Sequence, residues 1–274
     1  MSDTAASPGA AARFVERVGR RTVTVVEEVG NCAVLVGQSL YWVVVGPWRR
    51  QPVRMRAVVQ QMMEIGIYAI PIIAVLSAAI GAMLAMLGIL SLRKFGAESQ
   101  VTFGIAISMV REFAPLITGI LIAGRSGSAL AARIGTMKIN QELDALIVMG
   151  ISPVRYLVAP ALIAMVVMVP VLTIFSGLVG LLAGGLYIGF DLGISMGVYF
   201  SQLGDALEVG DVMHGLGKSF AFAVLVTVIG VVNGAGVQGG AEGVGKVTTG
   251  AVVQAISAIV VADMVFVLLA SRMV

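Results

Sequence analysis

Cysteine and histidine are nearly absent from this chain of 274 residues, which contains one of each, Cys32 and His214. A lone cysteine excludes an internal disulfide, and a lone histidine has no second imidazole or thiolate with which to complete a zinc site. The stretch GRSGS at 124–128 lacks the last glycine of a nucleophile elbow, and a distant single histidine leaves a hydrolase triad without a base. Redox, zinc and hydrolase chemistry are therefore not expected.

Charged residues are also scarce. They make up 12% of the chain against 58% apolar residues, and the mean hydropathy is +1.00. A water-soluble domain of this length would need more polar surface. The apolar runs are continuous and do not alternate with a period of two, which favours helices as the spanning structures. We therefore predict an all-α polytopic membrane protein.

Five apolar segments are long enough to cross a bilayer as helices, which takes about 20 residues each. They are predicted at 65–90, 101–124, 157–190, 218–234 and 250–271, with an amphipathic connection at 191–215. The third segment is too long for one perpendicular helix, so we expect it to tilt, to kink near Pro170 or to protrude. The spacings Gly180-x-x-x-Gly184 and Gly185-x-x-x-Gly189 allow close helix approach, within the subunit or between subunits.

The amino-terminal part of the chain has a different character. Residues 1–12 are small and polar, lack the apolar core of a signal peptide, and are predicted to be disordered. Residues 13–56 combine arginines with a short apolar stretch and the cluster WRRQPVRMR, which predicts a cytoplasmic interfacial helix. The aromatic residues expected at headgroup level are Tyr41, Trp42 and Trp48. A short first span at 29–46 is the alternative.

Basic residues indicate the orientation of the chain. With the amino terminus inside, most of the 18 Lys and Arg residues lie in the amino-terminal region and in the loops 125–156 and 235–249. The positive-inside rule then places the amino terminus and the loop 125–156 in the cytoplasm and, after five spans, the carboxyl terminus outside. The same rule accounts for the net charge of +3 without a nucleic-acid partner. The membrane domain is assigned to 57–274.

Two glycine-rich stretches imitate nucleotide-binding motifs. GAGVQG at 234–239 fits a dinucleotide pattern, and GAEGVGKV at 240–247 misses the P-loop pattern only at Val247. Both motifs need a strand before and a helix after them, whereas these stretches join two predicted spans, and Val247 cannot coordinate Mg²⁺. We predict a flexible cytoplasmic turn.

A short amphipathic helix is predicted at INQELDALIVM, residues 139–149. Its apolar residues recur at helical spacing, namely Ile139, Leu143, Leu146 and Ile147. Gly150 and Pro153 end the helix. Such a helix either rests on the bilayer or docks into the groove of a partner protein, and its residues alone leave both open.

The run REFAPLITGILIAGRSGSALAARIGTMKINQELDALIVMGISPVRYLVAP, residues 111–160, closely resembles the MlaE/YrbE permease family, the membrane subunits of Mce-linked lipid ABC transporters. Its part DALIVMGISP also resembles the EAA loop of ABC importers, with Asp144 where that loop usually has Glu. The resemblance extends from about residue 50 to the end and includes GGAEGVGKVTTGAVV at 239–253.

This resemblance implies a five-span permease with an amino-terminal interfacial helix in the bacterial inner membrane, paired with a second copy or a paralogue. A cytoplasmic ABC ATPase would bind ATP and Mg²⁺, so the chain itself would need no cofactor and would not be an enzyme. Mce or MlaD-type proteins would exchange phospholipid or another hydrophobic molecule with the permease. The helix at 139–149 would couple to the ATPase through Glu142, Leu143, Asp144, Leu146, Met149 and Gly150, flanked by Arg125 and Arg133.

Arg111 and Glu112 are anomalous, because they lie inside the second predicted span. An ionisable residue there costs at least ~2.5 to 3.5 kcal/mol on insertion scales and should face protein, water or a polar ligand. Adjacent residues point about 100° apart on a helix, so one can face a cavity while its neighbour pairs elsewhere.

In the resembling family, the glutamate of this Arg-Glu motif faces a lipid site between two permease subunits, and that role is carried over to Glu112. The further candidates for the lipid cavity are Arg111, Phe95, Leu84 and Leu92. Three alternatives stay open from the residues alone: an ion pair that locks helices together, a membrane scaffold without transport, and an ATPase-independent transporter or channel with Glu112 as a relay.

Overall fold

Seven helices make up the main part of the chain in the computed structural model, which describes residues 30, 34–35, 37–39, 41–42 and 54–272. They are α1 (Met55–Arg93), α2 (Glu98–Ile139), α3 (Glu142–Val148), α4 (Val154–Leu192), α5 (Met196–Ala206), α6 (Val209–Ala235) and α7 (Gly240–Ala270). The described range 54–272 contains no strand. Helices α1, α2, α4, α6 and α7 are long and apolar enough to cross a membrane, which confirms the prediction of five spanning helices.

The predictions for the amino-terminal region fall mostly outside the described residues. The disordered start at 1–12 lies wholly outside them, and of the interfacial helix at 13–56 only eight residues between 30 and 42, and then 54–56, are described. Those between 30 and 42 are helical, while Met55 and Arg56 already belong to α1. The interfacial helix therefore stays a prediction, as does the alternative span at 29–46.

Helix α2 is longer than the sequence predicts. Its helical backbone continues through residues 125–139, which the sequence analysis assigned to a cytoplasmic loop. The stretch SALAARIGTMKI contains no proline, and it buries Leu130, Ala131 and Ile134 as one helical face against the rest of the chain. The charged residues that indicated a loop, such as Arg133 and Lys138, are exposed. The connection between α2 and α4 is thus α3 with its two short flanking turns.

Helix α4 lies at the centre of the described helices. It stays helical through Pro170 over 39 residues, which is roughly 58 Å at 1.5 Å per residue and exceeds the ~30 Å thickness of a hydrocarbon core. Two buried hydroxyls, Ser77 of α1 and Ser176 of α4, form a hydrogen bond of 2.7 Å between the helices. A hydroxyl pair inside an apolar layer satisfies both side chains where no water is available.

Glycines allow α1 and α4 to approach closely. A Cβ atom added at Gly81 would overlap the backbone of Gly180, and one added at Gly184 would lie 3.2 Å from the carbonyl oxygen of Gly81. The spacing Gly180-x-x-x-Gly184 therefore serves packing within the subunit. Gly185 instead faces the ring of Tyr199, a buried residue of α5 whose hydroxyl donates a 2.8 Å hydrogen bond to the Leu181 carbonyl. Burial raises the pKa of Tyr199 to about 12, because desolvation disfavours the phenolate.

Candidate functional site

A π-helical turn at Met109–Phe113 carries Arg111 and Glu112. The Ala114 N–H bonds to the Met109 carbonyl, five residues back, in place of the usual four. Pro115 explains the irregularity, because it has no N–H to donate to the Arg111 carbonyl. An inserted residue of this kind rotates the following side chains relative to a regular α-helix, and such turns are frequent at functional sites.

Glu112 meets a fully buried lysine. The Lys218 ammonium donates to Glu112 Oε2 at 2.5 Å and lies 2.9 Å from Asp263 Oδ1. The contact with Asp263 has the distance of an ion pair but not the alignment of a hydrogen bond. One ammonium therefore connects α2, α6 and α7. Without these two carboxylates, burial of the charged lysine would be very costly.

Arg111 pairs with a different carboxylate. Its Nε lies 2.6 Å from Asp211 Oδ1, again at ion-pair distance without hydrogen-bond alignment. Asp211 also accepts a 2.9 Å hydrogen bond from the Glu208 N–H and so completes a capping box at the start of α6. Gly215, one turn further, lets the α6 backbone contact the Val110 carbonyl of the π turn. The π turn of α2 is thus held against the first turns of α6.

We call the five ion-paired residues Arg111, Glu112, Asp211, Lys218 and Asp263 the charge cluster. With all groups ionised it contains two cations and three carboxylates, a net charge of −1. Its members differ in exposure: the side chains of Glu112 and Arg111 are 34% and 37% exposed, while that of Lys218 is fully buried. Glu112 therefore has a face that contacts lysine and a face that is open to the surroundings.

An apolar cavity of about 150 Å³ lies beside the charge cluster. It is lined by side chains of α2, α4 and α6 and by Leu207, which precedes α6. Val110, in its lining, directly precedes Arg111, and Gly215 lies in α6 between Asp211 and Lys218. The remaining lining residues include Ala114, Thr173, Ile174, Gly177, Leu178, Leu181, Val212 and Leu216. The cavity could not be predicted from the sequence, because its lining comes mainly from three helices that are distant along the chain.

Three further residues were predicted to contact lipid, Phe95, Leu84 and Leu92, and none of them belongs to the charge cluster. Phe95 is 82% exposed in the turn between α1 and α2, and α2 rises about 21 Å from Glu98 to Glu112. Leu84 and Leu92 of α1 are half-buried and pack against an apolar cluster that contains Ile105 and Met109. Lipid contact by these residues stays a prediction. Phe95 would contact a lipid at the amino-terminal end of α2.

Helix α3 is the segment predicted to couple to an ATPase. Its ends are sharp: Gln141 before it and Gly150 after it both adopt a left-handed backbone, with φ of 58° and 73°. Leu146 is buried, and Leu143 packs against a cluster that includes Leu130 and Val231, so both side chains face the permease itself.

The opposite face of α3 is open. Glu142, Asp144 and Met149 are exposed, so they are accessible to a partner, while their contact with an ATPase stays a prediction. Ile147 is exposed too, although the helical spacing grouped it with Leu143. Val148 is 87% exposed and was missed, since it falls off the predicted apolar ridge. The open face thus combines two carboxylates with an apolar tip at 147–149.

Arg125 and Arg133 lie on α2 and line a pocket shared with α1 and α4. The Arg125 guanidinium lies 5.8 Å from the centroid of the Tyr68 ring and donates to the Glu64 carbonyl at 3.4 Å. The Arg125 side chain therefore contacts α1. The role of Arg125 and Arg133 as residues that flank the coupling helix stays a prediction.

Three residues of the charge cluster were not singled out from the sequence: Asp211, Lys218 and Asp263. Lys218 begins the predicted span at 218–234, and Asp263 lies inside the one at 250–271. Ionisable residues within spans mark functional or paired sites, so the same signal that singled out Glu112 could have found Lys218 and Asp263. Asp211 lies in the predicted connection at 191–215, where a carboxylate does not stand out. Among residues 54–272 no group of three or more His, Cys, Asp and Glu side chains is arranged to hold a metal ion.

The glycine-rich stretch at 240–247, which resembles a P-loop in sequence, is helical and does not form the predicted turn. Residues 240–247 form the first turns of α7, and the preceding element is helix α6, not a strand. Lys246 pairs with Glu242 one turn earlier on an exposed surface, at 2.9 Å. The predicted flexible turn is therefore confined to the few residues between Ala235 and Gly240.

Comparison with known proteins adds independent information. Residues 58–269 match the family model described as Permease MlaE. The chain is 33% identical over 245 residues to the intermembrane phospholipid transport system permease protein MlaE of Haemophilus influenzae, covering 88% of this chain and 91% of the relative. A probable ABC transporter permease protein of Rickettsia bellii is 30% identical over 236 residues, covering 86% and 89%. One from Synechocystis is 41% identical over 170 residues, covering 62% and 64%.

Proposed function

The chain belongs to the MlaE permease family, and we propose that it moves phospholipid between the inner membrane and an Mce-type carrier protein as the membrane subunit of an ABC transporter. The family match over residues 58–269 carries this proposal. The name of the Haemophilus relative supports phospholipid as the cargo. An ATPase-independent transporter with Glu112 as a relay is not favoured, because the Rickettsia and Synechocystis relatives are named probable ABC transporter permease proteins.

The lipid would occupy a site that combines the apolar cavity with the open face of Glu112. Acyl chains need apolar walls, which the cavity supplies, and a headgroup needs a polar partner at the same site. Glu112 is 34% exposed while it pairs with Lys218, so it can accept a hydrogen bond from a headgroup without leaving its lysine. A second permease subunit would close this site, since Ile174 and Leu178 of the cavity lining are exposed within one chain.

Coupling to a cytoplasmic ATPase would use the open face of α3. A helix that presents an apolar tip beside carboxylates fits an apolar groove with a basic rim. Leu143 and Leu146 would act differently from the surface residues, by fixing α3 to α2 and α6 so that a movement of α3 reaches the spanning helices. ATP and Mg²⁺ would bind only to the ATPase. In this proposal the amino terminus and α3 would lie in the cytoplasm and the carboxyl terminus outside.

The decisive experiment is purification of the chain in mild detergent followed by reconstitution into liposomes. We expect a stoichiometric ATPase subunit to co-purify, phospholipid to remain bound, and transfer of labelled phospholipid to an Mce-type acceptor to depend on ATP. A permease that purifies without an ATPase and transfers lipid equally well without ATP would overturn the proposal.

A further inference from the structure

A small basic pocket lies between α1, α2 and α4, apart from the charge cluster. It has a volume of about 100 Å³. Its apolar wall includes Ile65 and Met165, and its polar lining residues are Gln61, Glu64, Arg125, Ser126 and Arg133. Lipid transport as proposed above leaves this pocket without a role.

The Arg125 guanidinium is held in place but only partly satisfied. Its Nη2 donates to the Glu64 carbonyl and its plane lies near the Tyr68 ring, whereas Nη1 is buried and has no hydrogen-bond partner among the described residues. Arg125 lies in a second π turn, at Ala123–Gly127, and the Ser128 hydroxyl after it donates to the Gly124 carbonyl at 2.6 Å and to the Arg125 carbonyl at 2.8 Å. A buried unsatisfied donor beside a pocket indicates a missing acceptor.

Arg133 adds a second cation to the same pocket. It lies eight residues beyond Arg125 on α2, about 12 Å of helix rise, and its side chain is exposed. Neither guanidinium forms an ion pair within the described part of the chain, although the Glu64 carboxylate also lines the pocket. The two cations therefore leave an excess of positive charge in the pocket.

The pocket lies where the apolar part of α2 ends. The apolar run of the second predicted span stops at Gly124, and the apolar side chains of Met63, Ile67 and Tyr68 are exposed on the neighbouring face of α1. Arg125 is about 21 Å along α2 from Arg111 in the charge cluster. A guanidinium at the edge of a lipid-facing apolar surface lies at the level of lipid headgroups.

We propose that the pocket of Arg125 and Arg133 binds the phosphate of an anionic phospholipid in the adjoining leaflet. Guanidinium groups form paired hydrogen bonds with phosphate oxygens, and the free Nη1 of Arg125 supplies one such donor. Basic pockets between spanning helices on the cytoplasmic side bind anionic headgroups. The assignment to the cytoplasmic leaflet rests on the orientation proposed above. The bound lipid is a resident one, distinct from the cargo, because its site is remote from the charge cluster.

The test uses the purified, partly delipidated complex without ATP. Its thermal unfolding temperature is measured against increasing short-chain phosphatidylglycerol, phosphatidylcholine and inorganic phosphate. We expect phosphatidylglycerol to raise that temperature in the parent protein and in the control Lys138→Gln, which removes an exposed cation on the same segment of α2 outside the pocket. In the double variant Arg125→Gln/Arg133→Gln, the phosphatidylglycerol concentration that gives half of the maximal rise in unfolding temperature should increase at least tenfold. Arg125→Lys should have an intermediate effect, since it keeps the charge but not the fork of donors.

Several results would overturn the assignment. Equal stabilisation by inorganic phosphate identifies a free-anion site, and equal stabilisation by phosphatidylcholine removes the need for a net negative headgroup. An equal loss in Lys138→Gln shows a general charge effect. Loss of the ATPase from the double variant with an unchanged response to phosphatidylglycerol assigns the arginines to the ATPase. If the double variant does not fold, the single variant Arg133→Gln replaces it, because that side chain is exposed and its loss should not prevent folding. An unchanged response of Arg133→Gln to phosphatidylglycerol then contradicts the assignment. Transport and ATPase retention test the proposed function separately, so each proposal can fail alone.

Discussion

Lys218 Nζ lies 2.5 Å from Glu112 Oε2, although 106 positions separate the two residues and the lysine is fully buried. The same ammonium lies 2.9 Å from Asp263, so three spanning helices meet at one cation. The pairing is compatible with both roles that the sequence presented as alternatives, an ion pair between helices and a lipid contact. Glu112 is a partner in a buried ion pair, and its remaining exposure leaves room for a ligand.

Removal of the lysine should destabilise the protein strongly. Lys218→Met leaves Glu112 and Asp263 without their cation, and breaking a buried pair from one side typically costs ~3 to 5 kcal/mol. The free energy of unfolding, measured by denaturant titration in detergent, should fall by about that amount. Lys246→Met, which removes the exposed partner of Glu242, should change it by less than about 1 kcal/mol. Equal effects of the two changes would show that the cluster is not a buried network.

Glu112→Gln should separate lipid binding from stability. The amide keeps the shape of the side chain, and Lys218 retains Asp263, so we expect a loss of only about 1 to 2 kcal/mol in the free energy of unfolding. Bound phospholipid, measured by mass spectrometry of the purified complex, should fall several-fold if Glu112 contacts the headgroup. A large loss of stability with normal lipid content would contradict a contact between Glu112 and the lipid headgroup. A photocrosslinker at position 112 that labels only neighbouring helices would do the same.

The close contact of α1 and α4 should not tolerate a side chain. In Gly81→Ala the new methyl group overlaps the Gly180 backbone, which cannot move aside as a flexible side chain would. We expect loss of folded protein, or a drop of several degrees in its unfolding temperature. Gly104→Ala on α2 is the matched control, since no atom lies near its added Cβ, and it should be neutral or stabilising by up to ~1 kcal/mol through helix propensity. Similar behaviour of both variants would contradict the observed packing.

The two faces of α3 should respond differently to substitution. Val148→Asp and Asp144→Ala change exposed side chains, so they should release the ATPase during purification while the unfolding temperature of the permease stays within about 2 °C of the parent. Leu146→Ala removes a buried side chain and should cost ~2 to 5 kcal/mol of stability. Retention of the ATPase and of full transport by Val148→Asp would exclude this face as the docking site.

Lys246→Ala should leave nucleotide hydrolysis by the complex nearly unchanged. This lysine lies on an exposed helical turn and pairs with Glu242, and no strand precedes that turn in the described chain to form a phosphate cradle. The rate of phosphate release with saturating ATP is the measurement. A loss as large as that from removal of a P-loop lysine would identify a nucleotide site in this chain.

The sequence by itself determined the membrane class and the five spanning helices within residues 54–272, because apolar runs of sufficient length have no other stable arrangement in a bilayer. It also singled out Arg111 and Glu112, since any charge in such a run stands out by its cost. It marked α3 through helical periodicity, although it did not show that Leu143 and Leu146 face the permease while Val148 is exposed.

Only the tertiary structure decided which charges meet. Lys218 and Asp263 lie in other helices, and the π turn before Pro115 sets the direction in which Glu112 points, so neither pairing follows from distance along the chain. The same holds for the apolar cavity and for the basic pocket of Arg125 and Arg133, whose walls come from three helices each. Local sequence determines how far a helix extends and which residues share its face, but the partner of each face depends on how whole helices pack.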